Sequence, residues 1–199
     1  MSDLLVIEVS PLGEHSVSRS ISKEFLTAFT EKYPQASIVT KDLAANPIPH
    51  LDAEALRARH TPETDRSPAM QAKLDYRLGL ANELKEAKQI LVSTPMWNWS
   101  LPSVLKAYFD QVFIPGLLDG ASPETSISGK VTIIASQGGS YAVGAPLEGW
   151  DHLTGYVKQY FTAIGGKDIE VILSEFGFAG IVPAMAAFVD NKAASICYS

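Results

Sequence analysis

Five short apolar runs, separated by helical patterns, constrain the fold of this chain more than any other feature. The runs are Leu4–Val9, Ser37–Asp42, Gln89–Thr94, Val131–Ser136 and Ile169–Leu173. Because they are almost continuously apolar instead of alternating, they predict strands that are buried on both faces. Such strands are typical of a parallel sheet covered by helices.

Apolar residues at helical spacing occupy the intervals between these runs. Four helical faces are predicted, formed by Ile21, Phe25, Ala28 and Phe29; by Leu74, Leu78, Ala81, Leu84 and Ala87; by Leu101, Leu105, Phe109 and Val112; and by Leu153, Val157, Phe161 and Ile164. A further helix is predicted from Pro183 to about Ala194. Strands that alternate with helices predict a single α/β domain over residues 1–199, with helices on both faces of the sheet.

Two connections and one helix end can also be predicted from composition. Asn46–His50 contains two prolines and indicates a stiff connection, whereas Pro115–Ser128 is rich in Gly, Pro and Ser and indicates a mobile loop. The pair Gly165-Gly166 is a typical stop for the helix before it.

The composition excludes several classes of partner and site. The 199 residues carry a net charge of −6 and no run of Lys or Arg, which argues against nucleic acid and anionic membranes as partners. A single cysteine, Cys197, cannot form an internal disulfide, and the start of the chain lacks a signal-peptide pattern, so we expect a cytoplasmic protein. The four histidines are dispersed without metal-ligand spacing.

In an open α/β sheet, ligands bind at the carboxyl ends of the central strands, here the first, third and fourth. The loop after the first strand lacks the glycine patterns of Rossmann and P-loop proteins, but it brings Ser10, Ser16 and Ser18 to the start of a helix. Hydroxyls and free amides there can bind a phosphate, although one serine can equally be only the N-cap. Arg19 in the first turn opposes the helix dipole and therefore favours a nearby anion.

The loops after the third and fourth strands offer a flat surface and an open backbone. The first of them contains Met96, Trp97, Asn98 and Trp99. The tryptophans either stack against a flat ligand or pack beneath the next helix. The other loop contains Ser136, Gln137, Gly138 and Gly139, where the glycines allow close approach or a positive φ, or simply a tight turn. In this order, the three loops indicate a mononucleotide with a large flat ring.

These residues resemble the FMN-dependent NADH-azoreductase family of flavodoxin-like NAD(P)H:quinone oxidoreductases. The resemblance runs over nearly the whole chain, through LLVIEVSPLGEHSVSRSIS, PMWNWSLPSVLKAYFDQV and SQGGSYAVG. It implies a flavodoxin-like sheet in the order 2-1-3-4-5. It also implies that Ser10, Ser16, Val17 and Ser18 hold the FMN phosphate, that Met96, Trp97, Asn98 and Trp99 contact the isoalloxazine, and that Ser136, Gln137, Gly138 and Gly139 flank its polar edge. The chain departs from the family where Trp replaces the commoner Tyr or Phe, where Gln137 replaces a frequent Arg, and in the shorter segment Phe113–Ser128.

The resemblance further implies how the protein works. One noncovalent FMN per subunit takes electrons from NADH or NADPH and passes them to quinones or azo compounds by a ping-pong mechanism, in a homodimer, without a catalytic side chain. Two alternatives remain open at this point. One is a flavodoxin-type electron carrier, and the other is a protein that kept the fold and lost the flavin.

Overall fold

The computed structural model of this chain describes residues 2–176. Its centre is a parallel sheet of five strands, β1 Leu4–Glu8, β2 Ile38–Asp42, β3 Gln89–Pro95, β4 Lys130–Ser136 and β5 Ile169–Ser174. The strand order is β2-β1-β3-β4-β5, which confirms the predicted order 2-1-3-4-5. The helix predicted at Pro183–Ala194 and the residue Cys197 lie outside the described residues.

Helices cover both faces of the sheet, as predicted. They are α1 Val17–Lys32, α2 Ala53–His60, α3 Pro68–Glu86, α4 Ser103–Val112 and α5 Thr154–Ala163. α3, α4 and α5 share one core with the inward side chains of β1, β3 and β4. α1 packs on the opposite face against Leu4, Val6, Leu91, Ile134 and Ile172. The core therefore lies in two layers, and the loops that join strands to helices are left at the sheet edges.

The predicted helical faces agree with the observed burial, with one exception. All four residues predicted for the α5 face are fully buried. In α1, Ile21 and Phe29 are buried, but Ala28 is exposed, so its place in the predicted face is wrong. α5 ends where predicted, because Gly165 has a φ of 92° and a Cβ there would lie 2.2 Å from the Ser126 Cβ.

Two predictions about the second strand and its connection need correction. β2 is an edge strand, and Ile38 and Val39 are more than a third exposed, so it is not buried on both faces. α2 was not predicted at all. It has the usual features of helix ends. The Asp52 carboxylate caps its start by accepting a hydrogen bond from the Ala55 amide at 2.8 Å, and three basic residues lie in its last turn.

The segment Pro115–Ser128 is more ordered than its composition indicates. The amides of Asp119 and Gly120 both donate to the Thr125 carbonyl, at 3.0 and 2.9 Å. The Ile127 amide donates to the Ile164 carbonyl at 3.0 Å, and the Ile127 side chain is buried. The structure therefore shows a hydrogen-bonded loop that packs against the end of α5.

Candidate functional site

The carboxyl ends of β1, β3 and β4 bring the three predicted ligand loops together at one edge of the sheet. Glu8 at the end of β1 is in register with Ser93 of β3, and Pro95 at the end of β3 is in register with Ser136 of β4. The pairing continues into the second loop, since the Met96 amide donates to the Ser136 carbonyl at 2.7 Å. The loops therefore lie side by side, in the arrangement that the strand order predicts.

The first loop brings hydroxyls and amides together at the start of α1, where Ser10, Ser16 and Ser18 are all buried. Ser16 is the N-cap, and its Oγ accepts from the Arg19 amide at 3.4 Å and lies 3.2 Å from the Ser18 Oγ. Val17 and Ser18 occupy the first turn, where amides have no carbonyl of their own helix to bond to. Ser16 is therefore the N-cap of α1, and this arrangement leaves the amides of Val17 and Ser18 available to an anion.

Arg19 has its negative partners within the protein. Its Nη2 donates to the Asp42 Oδ1 at 2.8 Å, its Nε donates to the Ser10 carbonyl at 2.7 Å, and its Nε lies 4.0 Å from the Glu8 Oε2. The hydrogen bond from Arg19 lowers the pKa of Asp42. The expectation that Arg19 indicates a bound anion is thus corrected, because the Asp42 carboxylate already supplies a negative charge.

The second loop is a two-residue turn with an unusual backbone. The Trp97 amide donates to the Ser100 carbonyl and the Ser100 amide to the Trp97 carbonyl, both at 3.0 Å. Asn98 and Trp99 at its centre have φ values of 48° and 64°, as a type I′ turn requires. A left-handed tryptophan costs on the order of 1–3 kcal/mol, and such strain concentrates at functional sites.

The two tryptophans of this turn remain open to solvent. Trp97 is 40% exposed and Trp99 is 44% exposed, so the alternative in which both pack beneath the next helix is wrong. Met96, by contrast, is half-buried and packs against the core below them. The turn therefore presents two large rings and an amide side chain at the sheet edge.

A third tryptophan, which the sequence reasoning missed, joins this surface. The ring of Trp150 meets that of Trp99 edge-on, with centroids 5.2 Å apart and planes at 74°. The His152 amide donates to the Trp99 carbonyl at 2.9 Å, which ties the segment after β4 to the turn. The available signal was a third tryptophan in the long connection that follows the glycine pair.

In the third loop, the space beside the two glycines is unoccupied, whereas Gln137 is buried. Neither Gly138 nor Gly139 has a positive φ, and a Cβ at either would meet nothing within 4 Å. Of the alternatives for this glycine pair, a positive φ is therefore not adopted, whereas room for close approach of a ligand remains. Ser136, the last residue of β4, is buried.

Gln137 has its partners inside the protein. Its side chain is 3% exposed, its Nε2 donates to the Asp151 Oδ2 at 2.8 Å, and its amide donates to the Ser174 carbonyl at 2.7 Å. Asp151 in turn accepts from the Leu153 and Thr154 amides, both at 2.8 Å, at the start of α5. The side chain of Gln137 thus orders the start of α5, and the two glycines are the part of this loop that a ligand can reach.

Two further features describe the surroundings. A cleft of about 900 Å³ opens beside the turn, between the start of α4 and α5, and Trp97, Asn98, Lys106 and Tyr156 are among its lining residues. Within residues 2–176, no helix is long and apolar enough to cross a membrane, and no three His, Cys, Asp or Glu residues group as metal ligands.

Comparison with known proteins agrees with this geometry. Residues 2–195 match a family described as having a flavodoxin-like fold. The FMN-dependent NADH:quinone oxidoreductase of Frankia alni is 38% identical over 192 residues, which are 96% of this chain and 91% of that protein. The protein of the same name from Streptomyces avermitilis is 36% identical over 197 residues, which are 98% of this chain and 90% of that protein.

A solved structure shows the same fold. The FMN-dependent NADH-azoreductase from Bacillus anthracis, in complex with FMN, superimposes with a TM-score of 0.85 over 96% of this chain and 98% of that chain, at 19% identity. The fold, the strand order and the close relatives agree with one another. The chain therefore belongs to the flavodoxin-like family, together with the FMN-dependent NADH:quinone oxidoreductases that it resembles over nearly its whole length.

Proposed function

We propose that this chain is an FMN-dependent NADH:quinone oxidoreductase of the azoreductase type. The observation that carries the proposal is the convergence of the three loops at the carboxyl edge of β1, β3 and β4. Each loop suits one part of FMN, and relatives that carry this name match the chain over nearly its full length.

The first loop fits the phosphate. Ser10, Ser16 and Ser18 supply hydroxyls, and Val17 and Ser18 supply amides at the positive end of the α1 dipole. The side chain of Val17 packs against the core, so its contribution is its amide. Hydroxyls and amides can bind the anion here even though the Arg19 guanidinium is paired with Asp42.

The second and third loops fit the ring. Trp97 and Trp99 offer apolar surface and stacking, and the exposed Asn98 offers an amide for a polar edge. Gly138 and Gly139 leave empty the space that a Cβ would fill, so a flat polar edge can approach the main chain there. Ser136, Gln137 and Met96 support these groups from below and are less accessible.

The protein's part in the reaction is to bind and to orient. Bound FMN supplies the two-electron chemistry, accepting a hydride from a reduced nicotinamide and delivering electrons to a quinone or azo acceptor. The exposed tryptophans limit the access of water to the ring, and we expect solvent to supply the protons of the reduced product. We propose no general acid among the side chains of this site.

The order of binding is the kinetic part of the proposal. A ring seated on the turn leaves one face for either the nicotinamide or the acceptor, so the first product must leave before the second substrate enters. Initial rates with NADH or NADPH at several fixed quinone concentrations should give the parallel double-reciprocal lines of ping-pong exchange. Intersecting lines would show that both substrates bind together and would contradict a shared site.

We also propose that the protein is a homodimer with the flavin site near the interface. Trp97, Trp99 and Trp150 are each at least 40% exposed, Trp97 lines the cleft, and the rings of Trp99 and Trp150 are in contact. An apolar surface of this kind favours coverage by a partner, and a second copy is the simplest one. Light scattering at micromolar concentration should give twice the chain mass, and a fully active monomer would contradict this proposal.

A flavodoxin-type electron carrier is the competing function. The net charge of −6 suits docking to a basic protein partner. The strained, tryptophan-bearing turn beside an open cleft suits small-molecule acceptors better. NADH oxidation by the purified protein without an added reductase distinguishes the two, since a carrier needs its partner.

We propose the cytoplasm as its location, because the chain has one cysteine and its proposed donor is an intracellular nucleotide. Fractionation of the source cells tests this, and recovery in an exported fraction would contradict it.

A further inference from the structure

The Arg19 side chain lies under the first ligand loop and directs its donors into the protein. We propose that Arg19 is a positioning residue for the FMN phosphate, which acts by holding the main chain of Ser10 and does not act as a cation that binds the phosphate. This inference rests on the proposed function, because it concerns the same cofactor site.

The contacts of Arg19 link three elements of the sheet edge. Its Nε donates to the Ser10 carbonyl at 2.7 Å, just after β1, and its Nη2 donates to the Asp42 Oδ1 at 2.8 Å, at the end of β2. The side chain itself is on α1 and is only 20% exposed. A planar guanidinium makes these two bonds from two different nitrogens in fixed directions, whereas the single nitrogen of an ammonium on a flexible stem does not reproduce that geometry.

These contacts fix the position and orientation of the Ser10 hydroxyl. Arg19 holds the Ser10 carbonyl, and the Ser10 Oγ accepts from the Leu12 amide at 3.3 Å. An Oγ that already accepts a hydrogen bond can direct its own hydrogen toward another acceptor, such as a phosphate oxygen. Fixing both oxygens of Ser10 thus prepares its hydroxyl as a donor before the cofactor arrives.

The charges around Arg19 argue against a direct role with the phosphate. Glu8 is 6% exposed, receives a 2.6 Å hydrogen bond from Ser22, and lies 4.0 Å from the Arg19 Nε. Asp42, paired with Arg19, also accepts from the amides of Ala44 and Ala45, both at 3.0 Å. The Asp42 carboxylate balances the charge of Arg19 and leaves no net positive charge to offer a phosphate, so geometry is what Arg19 can contribute.

Positioning and charge make different predictions for conservative variants. Arg19→Lys keeps the charge but lacks the rigid two-nitrogen geometry of the guanidinium, and Arg19→Met removes both the charge and the bonds. Riboflavin has the same ring as FMN but no phosphate. A variant that affects only the phosphate site should therefore weaken the binding of FMN and leave the binding of riboflavin unchanged. Arg57→Met is the matched control, because the exposed Arg57 also donates to a main-chain carbonyl, that of Ala53 at 3.1 Å, but within α2.

The test is the dissociation constant of FMN and of riboflavin, measured by flavin fluorescence on full-length protein stripped of flavin. We expect Arg19→Met and Arg19→Lys each to weaken FMN binding by roughly tenfold, the size expected when one hydrogen bond to the phosphate is lost or misaligned. Riboflavin binding should change by less than about twofold, and Arg57→Met should match the wild type for both ligands.

Three results would overturn the inference. The first is an FMN affinity of Arg19→Met equal to that of the wild type, and the second is an FMN affinity of Arg19→Lys equal to that of the wild type. The third is a loss of riboflavin binding as large as the loss of FMN binding, which would indicate general damage to the fold. If Arg19→Met does not fold, the result for Arg19→Lys decides alone. Failure of the wild-type protein to bind FMN would instead refute the proposed function, and the inference with it.

Discussion

The main chains of Trp97 and Ser100 exchange two hydrogen bonds, each 3.0 Å long, and hold Asn98 and Trp99 between them at positive φ. Turns of this type usually have glycine at the second central position. A tryptophan there costs backbone energy, yet its ring is left 44% exposed beside Trp150. The strain is therefore associated with presenting a ring at the sheet edge, which supports a role for the turn in ligand binding.

Because Trp99 has a positive φ, we expect glycine to be less destabilising than alanine at this position, the reverse of the usual order. Trp99→Ala and Trp99→Gly lose the same ring contacts, but only glycine relieves the left-handed φ, which costs about 1–2 kcal/mol for other residues. The free energy of unfolding of Trp99→Gly, measured with urea, should exceed that of Trp99→Ala by roughly 0.5–1 kcal/mol. Ala28→Gly, at an exposed position of α1, should be destabilised by about 1 kcal/mol. Equal stability of the two Trp99 variants would contradict the strain.

The serines at the start of α1 should separate capping from cofactor binding. Ser18→Ala should weaken FMN binding by roughly ten- to a hundredfold, because a hydrogen bond to a charged group is worth about 1.5–3 kcal/mol. Ser16→Ala should also lower the stability of the protein by about 1 kcal/mol, because Ser16 is the N-cap. Ser20→Ala, whose hydroxyl donates to the Ser16 carbonyl at 3.1 Å, is the control. Unchanged FMN affinity in both variants would show that these serines only cap the helix.

Arg77 should be a major contributor to stability, although it lies away from the site. It is 3% exposed on α3, and it donates to the carbonyls of Gln111 at 3.1 Å and Phe113 at 3.2 Å, at the end of α4. Burial lowers its pKa, but a guanidinium stays charged at any ordinary pH. Arg77→Met should lower the free energy of unfolding by about 1.5–3 kcal/mol, because it removes the donor from the buried bond to the Gln111 carbonyl and from the part-buried bond to the Phe113 carbonyl. An effect no larger than that of Arg57→Met would contradict this.

Glu8 should make stability depend on pH in a direction opposite to that of most carboxylates. Burial raises the pKa of Glu8 above its ordinary 4.5, and the hydrogen bond from Ser22 offsets this only in part. The folded protein therefore holds a proton that the unfolded chain has already released, and folding is weakened as the pH rises above 4.5. Relative to Glu8→Gln, the wild type should lose stability from this pH upward. Parallel stability profiles for the two proteins in urea would contradict the shift.

The sheet and most of its core were predictable because they depend on local patterns. Continuous apolar runs predicted the strands, and the spacing of Leu153, Val157, Phe161 and Ile164 predicted a helical face that is fully buried. The position of the ligand loops then followed from the strand order. The missed helix α2 is short and has few buried residues, so it has little apolar periodicity.

The partners of polar side chains were not predictable, because they lie far apart along the chain. Arg19 and Asp42 are 23 residues apart, and Gln137 and Asp151 are 14 residues apart. No spacing rule relates such pairs. The sequence alone therefore could not identify Asp42, a carboxylate of the next strand, as the negatively charged partner of Arg19. Local patterns could not reveal the edge contact of Trp99 and Trp150 either.

The most direct test of the proposed function is the absorption spectrum of the purified protein with FMN, before and after NADH is added without oxygen. The protein should bind one FMN per chain and show flavin bands in the visible range. NADH should bleach these bands, and a quinone added afterwards should restore them. The absence of flavin bands after incubation with excess FMN would contradict the proposal that this chain is an FMN-dependent NADH:quinone oxidoreductase. The proposal would also be contradicted if neither NADH nor NADPH reduced the bound flavin.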